Sequence, residues 1–311
     1  MKHINKIALI LVSVGVLAAL IALAAVRFDV YRFRIGEPKE EVSYTQDASG
    51  IREILMEDVY NSITIIPSPD GDIHLTYYEN NLETYTVSND NGILRFSYDN
   101  RNWWLFSWGI GSYLREEKSV TLALPLEFEG TVSARTTNGS IDAKEISLSG
   151  GLAMRSTNGA LTCKQVTAGG DVIGHTSNGS IIATDVQGGN IELRTTNGSV
   201  ELTDINALGS VRMSSSNGRL NAQNLTVATR LEITGTNGSI TGTSISAEEI
   251  YLSSTNGRIA VQIEGVHEDF RIRSSTVNGS NSLPGEKETG EKALEVRTMN
   301  GDIDVQFTGQ N

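Results

Sequence analysis

Thr195–Leu220 reads TTNGSVELTDINALGSVRMSSSNGRL, one whole unit between two Asn-Gly pairs. Within it Val200, Leu202, Ile205, Ala207, Val211, Met213 and Ser215 form an inward-facing set, and Glu201, Thr203 and Arg212 fall between them. Alternation with period two marks strands with one buried face. The wider gaps between alternating runs mark corners, so one unit reads as three short strands joined by bends.

The unit recurs. The Asn-Gly pairs are Asn138-Gly139, Asn158-Gly159, Asn178-Gly179, Asn197-Gly198, Asn217-Gly218, Asn237-Gly238 and Asn256-Gly257, then Asn278-Gly279 and Asn300-Gly301. Successive asparagines lie 20, 20, 19, 20, 20, 19, 22 and 22 residues apart. Three residues after the asparagine stand Ile141, Leu161, Ile181, Val200, Leu220, Ile240 and Ile259. Two residues before it stand Thr136, Ser156, Thr176, Thr195 and Ser215. Columns of like residues at a fixed period mean one supersecondary unit stacked on copies of itself. Asn-Gly is also a strong hairpin signal, which would give an antiparallel meander. A meander needs matching faces only, not matching residue types, so the columns favour the solenoid. Asn and Gly both tolerate the left-handed backbone region and suit its corners. The fold expected is all-β, a right-handed parallel β-solenoid of roughly 20-residue rungs, with a β-rich N-terminal cap and one transmembrane helix before it.

The domain order follows. Residues 1–6 form a short tail. Residues 7–26, Ile7 to Val26, carry no charge, and a helix of that length spans roughly 30 Å, the thickness of a bilayer core. Lys2 and Lys6 precede it and Arg27, Arg32 and Arg34 follow, so loop charge does not orient the span. A cleaved signal peptide is the alternative, with Ala22-Leu23-Ala24 as a small-x-small site, although cleavable apolar regions are usually shorter. Residues 27–41 form a juxtamembrane linker and 42–130 the cap region, continuous with the solenoid of 131–309. Residues 281–293 read as a surface loop between the last rungs. Within the cap, residues 101–113 hold Trp103, Trp104, Phe106 and Trp108. These rings either touch lipid or a partner, as interfacial Trp does, or pack over the solenoid end as a lid.

The formal net charge of −12 disfavours nucleic acid, whose binding rests on cationic contact with phosphate. Cys163 is the single cysteine and sits in a column of small apolar residues, so it reads as a buried hydrophobe. No zinc spacing, phosphate-binding glycine loop or nucleophile elbow is present. The outward acids Asp142, Asp185, Glu192, Glu201 and Asp204 are the candidates for polysaccharide chemistry, Asp185 and Asp204 stacking on adjacent rungs. Such acids more commonly keep a surface soluble. Neither a catalytic residue, nor a metal ligand, nor a cofactor site is assigned.

The run VTLALPLEFEGTVSARTTNGSI at Val120–Ile141, followed by T-x-N-G-S-I/V units, resembles the bacterial candidate-adhesin family of β-strand-repeat domains, mostly of unknown function. The resemblance implies a β-solenoid behind an N-terminal membrane anchor in the cell envelope, and it implies no catalytic residue. The function expected is therefore a non-enzymatic binding or scaffold module, adhesin-like or related to envelope stress, single-pass in the cell membrane. Its solenoid would be extracytoplasmic, and its partners the lipid bilayer and an envelope component or protein. A β-helix enzyme acting on polysaccharide, or an intracellular tethered scaffold, are the alternatives.

Overall fold

The computed structural model describes residues 2–25, 38–81, 83–99 and 118–309. Two compact units are resolved by contact, one containing the N-terminal segment to Glu40 together with Glu79–Thr84 and the other nearly all of the β structure. The first holds α1 (Lys2–Ala25). Ile10, Leu11, Val12, Val14, Val16, Leu17, Leu20 and Ile21 of α1 are exposed. Among the described residues no helix is long and apolar enough to cross a membrane. The expected span at residues 7–26 is thus helical to Ala25 but finds no support as a crossing, and Val26 lies outside the described residues. So do residues 27–37 of the expected linker and the aromatic segment 101–113, with Trp103, Trp104, Phe106 and Trp108.

The second unit is all β. Its first strands are β1 (Glu40–Asp47), β2 (Glu53–Glu57), β3 (Ile63–Pro67), β4 (Asp72–Glu79), β5 (Thr84–Asp90), β6 (Ile93–Asp99), β7 (Val120–Leu124) and β8 (Glu127–Phe128). Seven repeated pairs follow: β9 (Thr131–Arg135) and β10 (Ile141–Leu148), β11 (Leu152–Arg155) and β12 (Leu161–Ala168), β13 (Val172–His175) and β14 (Ile181–Gly188), β15 (Ile191–Thr195) and β16 (Val200–Ala207), β17 (Val211–Ser215) and β18 (Leu220–Val227), β19 (Arg230–Asn237) and β20 (Ile240–Ser246), β21 (Glu249–Asn256) and β22 (Ile259–Ile263). The chain ends with β23 (Phe270–Asn278), β24 (Glu286–Lys287), β25 (Lys292–Asn300) and β26 (Ile303–Phe307). Odd-numbered members of the pairs stack in one 13-stranded sheet and even-numbered members in another. Pairing is parallel and in register, Ile141 beside Leu161 beside Ile181 beside Val200. The meander is thereby excluded for the repeats.

Each coil has two strands where three were expected, for a definite reason. The long strands of the even sheet bend at a left-handed residue seven positions after the asparagine: Glu145, Gln165, Asp185, Asp204, Asn224 and Ser244, with φ between 52° and 57°. In β10 the burial alternation breaks there, with Lys144 and Glu145 both exposed before Ile146 turns inward again. One left-handed residue shifts the alternation by one position, so both halves of the bent strand bury their apolar side chains. The third side is present as a kink within a strand.

The repeat Asn-Gly pairs are corners, but not left-handed ones. Among the described Asn-Gly pairs only Asn91-Gly92 is left-handed, with φ of 50° and 80°, and it joins β5 to β6 as a two-residue hairpin of the kind such pairs favour. In the repeats, glycine is required by stacking. A Cβ on Gly159, Gly179, Gly198, Gly218 or Gly238 would overlap the carbonyl oxygen of the glycine one coil earlier. The hydroxyl two positions before the asparagine caps that same carbonyl: Ser156 Oγ donates to Gly139 O at 2.9 Å, Thr176 Oγ1 to Gly159 O at 2.9 Å and Thr195 Oγ1 to Gly179 O at 2.8 Å. The asparagine side chains form a ladder, each Nδ2 donating to the Oδ1 of the preceding coil at 2.8 Å for Asn158, Asn178, Asn197 and Asn217 and at 2.9 Å for Asn237 and Asn256. Thr/Ser-x-Asn-Gly is thus a buried cap, an exposed position, an amide rung and a bare backbone.

The expected cap region contributes whole coils. β2 lies in register against β9 and β3 against β10, while β6 and β7 stack outside β2 and β3. No break in either sheet falls at residue 130. The chain therefore lays down one coil, then the outer coil, then steps back across the first to continue. The C-terminal end repeats this manoeuvre. β25 and β26 pair with β21 and β22, and β23, earlier in the chain, lies outside β25. Aromatic rings fill the ends where no further coil supplies side chains. Tyr85 stacks on Phe96 at 4.7 Å between ring centroids, with Tyr77 edge-on to both, and at the other end Phe270 meets Phe307 at 5.4 Å. Antiparallel strands close the edges, β4 against β7 and β24 against β23, which blunts the unpaired rung that parallel stacking would expose. The expected surface loop 281–293 supplies β24. There Lys287 Nζ donates to the carbonyls of Glu268, Phe270 and Thr289 at 3.2, 2.7 and 2.8 Å.

Candidate functional site

The acids singled out from the sequence do not converge. Asp142 and Glu201 lie on the outer face of the even sheet, Asp142 beside Thr162 and Glu201 between Ile182 and Asn221. Asp185 and Asp204 occupy adjacent coils, as expected, at the left-handed bend. Short polar side chains tolerate that backbone, which accounts for both residues without chemistry. Asp204 Oδ1 is engaged by Asn224 Nδ2 at 2.5 Å. Glu192 lies on the other sheet, its Oε1 3.1 Å from His175 Nε2. Among the described residues no group of three or more His, Cys, Asp or Glu is placed to hold a metal ion. Cys163 is buried, and burial pushes its thiol up to about 12, which removes it as a nucleophile near neutral pH.

A different set does converge. Three positions before the asparagine stand Arg135, Arg155, His175 and Arg194. Strand register places them side by side on consecutive coils, Arg135 against Arg155, Arg155 against His175, His175 against Arg194. They end β9, β11 and β13 and, at Arg194, nearly end β15, pointing away from the core beside the Asn-Gly corner. With strands ~4.8 Å apart, four side chains span about 14 Å. They line an open groove of about 480 Å³ together with Thr157, Ser177 and Thr196. The three hydroxyl residues are exposed.

The electrostatics distinguish this column from the rest of the same sheet. Among the described residues Arg135, Arg155 and Arg194 form no ion pair, and Glu57, which precedes Arg135 in the column, forms none with it. Of the outward neighbours one alternation back, Ser133, Ala153 and Ile173 are uncharged, and the fourth, Glu192, meets His175 rather than an arginine. From the next coil on, the face is equally rich in charge but matched: Arg212 meets Glu232 at 3.1 Å, and Arg230 meets Glu249 at 3.2 Å and Glu232 at 3.7 Å. An acidic chain has thus left three guanidinium groups, two on adjacent coils and the third beyond His175, without an ion pair among the described residues. Like charges directly opposite on neighbouring strands are destabilising, and a fork of five N–H donors is suited to carboxylate or phosphate. The signal stood in the repeat itself, as Arg-x-Thr-Asn-Gly at Arg135 and Arg194 and as Arg155-Ser156-Thr157-Asn158-Gly159. Only the absence of balancing acids needed the structure.

These features define a parallel β-solenoid repeat protein with an open, cationic groove on one face. The chain belongs to the Toastrack DUF4097 family, whose model matches residues 51–306. No curated protein sequence matches it. Similar solved structures include a candidate cell adhesion protein from Clostridium sporogenes, 11% identical over 87% of this chain and 100% of that one, with a TM-score of 0.33. Another is a candidate adhesin from Bacteroides fragilis, 11% identical over 87% of this chain and 99% of that one, with a TM-score of 0.40.

Proposed function

We propose that the protein is a non-catalytic binding module of the cell envelope, attached to the membrane through α1, whose extracytoplasmic solenoid holds an anionic envelope component in the Arg135–Arg194 groove. The observation that carries this reading is the column holding Arg135, Arg155 and Arg194, none of them in an ion pair among the described residues, on a chain of net charge −12. Membrane attachment is supported by the eight large apolar side chains exposed along α1, since contiguous apolar surface marks a membrane or protein contact. The scattered acids support binding without turnover.

The full chain, purified in mild detergent, is mixed with isolated cell-envelope material and the retained fraction measured. Wild type is expected to sediment with the envelope in a salt-sensitive manner, and Arg135→Gln/Arg155→Gln/Arg194→Gln to remain in solution. Equal retention of the two proteins, or no retention of either, would overturn the reading.

A further inference from the structure

We infer that the groove takes a linear polysaccharide bearing carboxylates, lying along the solenoid axis across the coils of Arg135, Arg155, His175 and Arg194. This inference rests on the binding reading above and adds the chemical class of the ligand.

The ligand is a polymer because the cations are serial. A single carboxylate or phosphate engages one or two guanidinium forks and would leave the others facing each other uncompensated. The column instead repeats at the strand spacing, ~4.8 Å, close to the advance of one pyranose along an extended glycan. Carboxylates on one face of such a chain meet guanidinium groups at intervals of one or two coils. His175 shares its Nε2 with Glu192, so the arginines supply the principal charge.

The ligand is a polysaccharide because of what flanks the cations. Thr157, Ser177 and Thr196 lie one coil apart beside the arginines, next to the amide ladder of Asn158, Asn178 and Asn197. This surface offers regularly spaced hydroxyl donors and acceptors; ring hydroxyls use both, whereas an ionised phosphate chain can only accept. Among the described residues no Phe, Tyr or Trp lines the groove, so bases of a single-stranded nucleic acid would find no stacking platform there. Three arginines on an acidic chain also supply few of the phosphate contacts on which nucleic-acid affinity rests.

The test is calorimetric binding of hexagalacturonate, galacturonate, maltohexaose and linear polyphosphate to the full chain. The comparison proteins are the Arg135→Gln/Arg155→Gln/Arg194→Gln variant and a variant matched in charge on other faces, Lys144→Gln/Lys164→Gln/Arg219→Gln. Thermal melting confirms that each variant is folded. Hexagalacturonate is expected to bind the wild type and the matched variant alike, and roughly tenfold or more tighter than galacturonate through multiple contacts. Maltohexaose is not expected to bind, and loss of the three arginines should weaken hexagalacturonate by roughly tenfold or more. Polyphosphate binding in place of hexagalacturonate would overturn the ligand class and leave the binding reading intact. So would failure of every probe while envelope retention stays arginine-dependent. Failure of every probe together with arginine-independent retention would remove both. Equal binding of hexagalacturonate to the triple arginine variant would place its site elsewhere and overturn the inference.

Discussion

At the scale of single residues the coil is held by a glycine that tolerates no side chain. Gly198 sits under the carbonyl oxygen of Gly179, and Gly218 under that of Gly198. Gly198→Ala forces backbone apart and should cost about 3 kcal/mol or more, in the upper range of overpacking. Gly71, which has nothing within 4 Å of a built Cβ, should accept alanine within about 0.5 kcal/mol. Chemical denaturation of the two variants checks this, and equal midpoints would contradict the stacking role. Cys163 gives a second prediction. Its thiol is raised from 9.0 to about 12 by burial, so folding favours the neutral form. That contribution is present below pH 9 and is lost as pH rises from 9 towards 12, because the unfolded thiol ionises first. Maleimide should leave Cys163 unmodified in the native protein at about pH 8 and label it in denaturant; rapid native labelling would show the column to be open. The buried columns and the place of Cys163 were legible because like residues recur in sequence. The reason for the glycines was not, since Asn-Gly signals a left-handed turn when read locally, and here the constraint comes from the neighbouring coil.

At the scale of elements the unforeseen device is the bent strand. The bend position carries Glu, Gln, Asp, Asp, Asn and Ser in turn, with no glycine to announce it, so three sides were legible and the continuity of two of them was not. Gln165 has φ of 54°. Gln165→Gly should leave stability within about 1 kcal/mol, while Gln165→Val should cost about 1–2 kcal/mol, since a β-branched residue is least at ease there. Matched thermal melts of the two would argue against the left-handed bend. The C-terminal edge carries a further prediction. Lys287→Ala removes an amine that closes three carbonyls over β23. Amide exchange across Phe270–Asn278 should quicken, with β9 to β16 unchanged. An unaltered pattern would mean that β24 holds without its lysine. The segment read as a loop because two residues of strand among Pro, Gly and charges leave no periodic trace.

At the scale of the whole molecule, the stepping of the chain across a neighbouring coil at both ends was invisible in sequence. In-register pairing asks only that inward columns match, and Ile63 satisfies Ile141 as well as Val120 would. The binding face was half legible. Its arginines recur in the motif that defines the fold, but their lack of acidic partners depends on which side chains the stacking brings alongside. The claim that this face meets an envelope ligand outside the cell is tested most directly by cysteine protection on intact cells. Ser177→Cys lies in the groove, and Asn206→Cys lies exposed on the even sheet; both are made with Cys163→Ala. A membrane-impermeant maleimide is then applied before and after the envelope ligands are stripped with high salt. The expected result is that the Asn206→Cys variant is labelled in both states and the Ser177→Cys variant only after stripping. Equal labelling of the two in untreated cells, or labelling of either only after lysis, would contradict it.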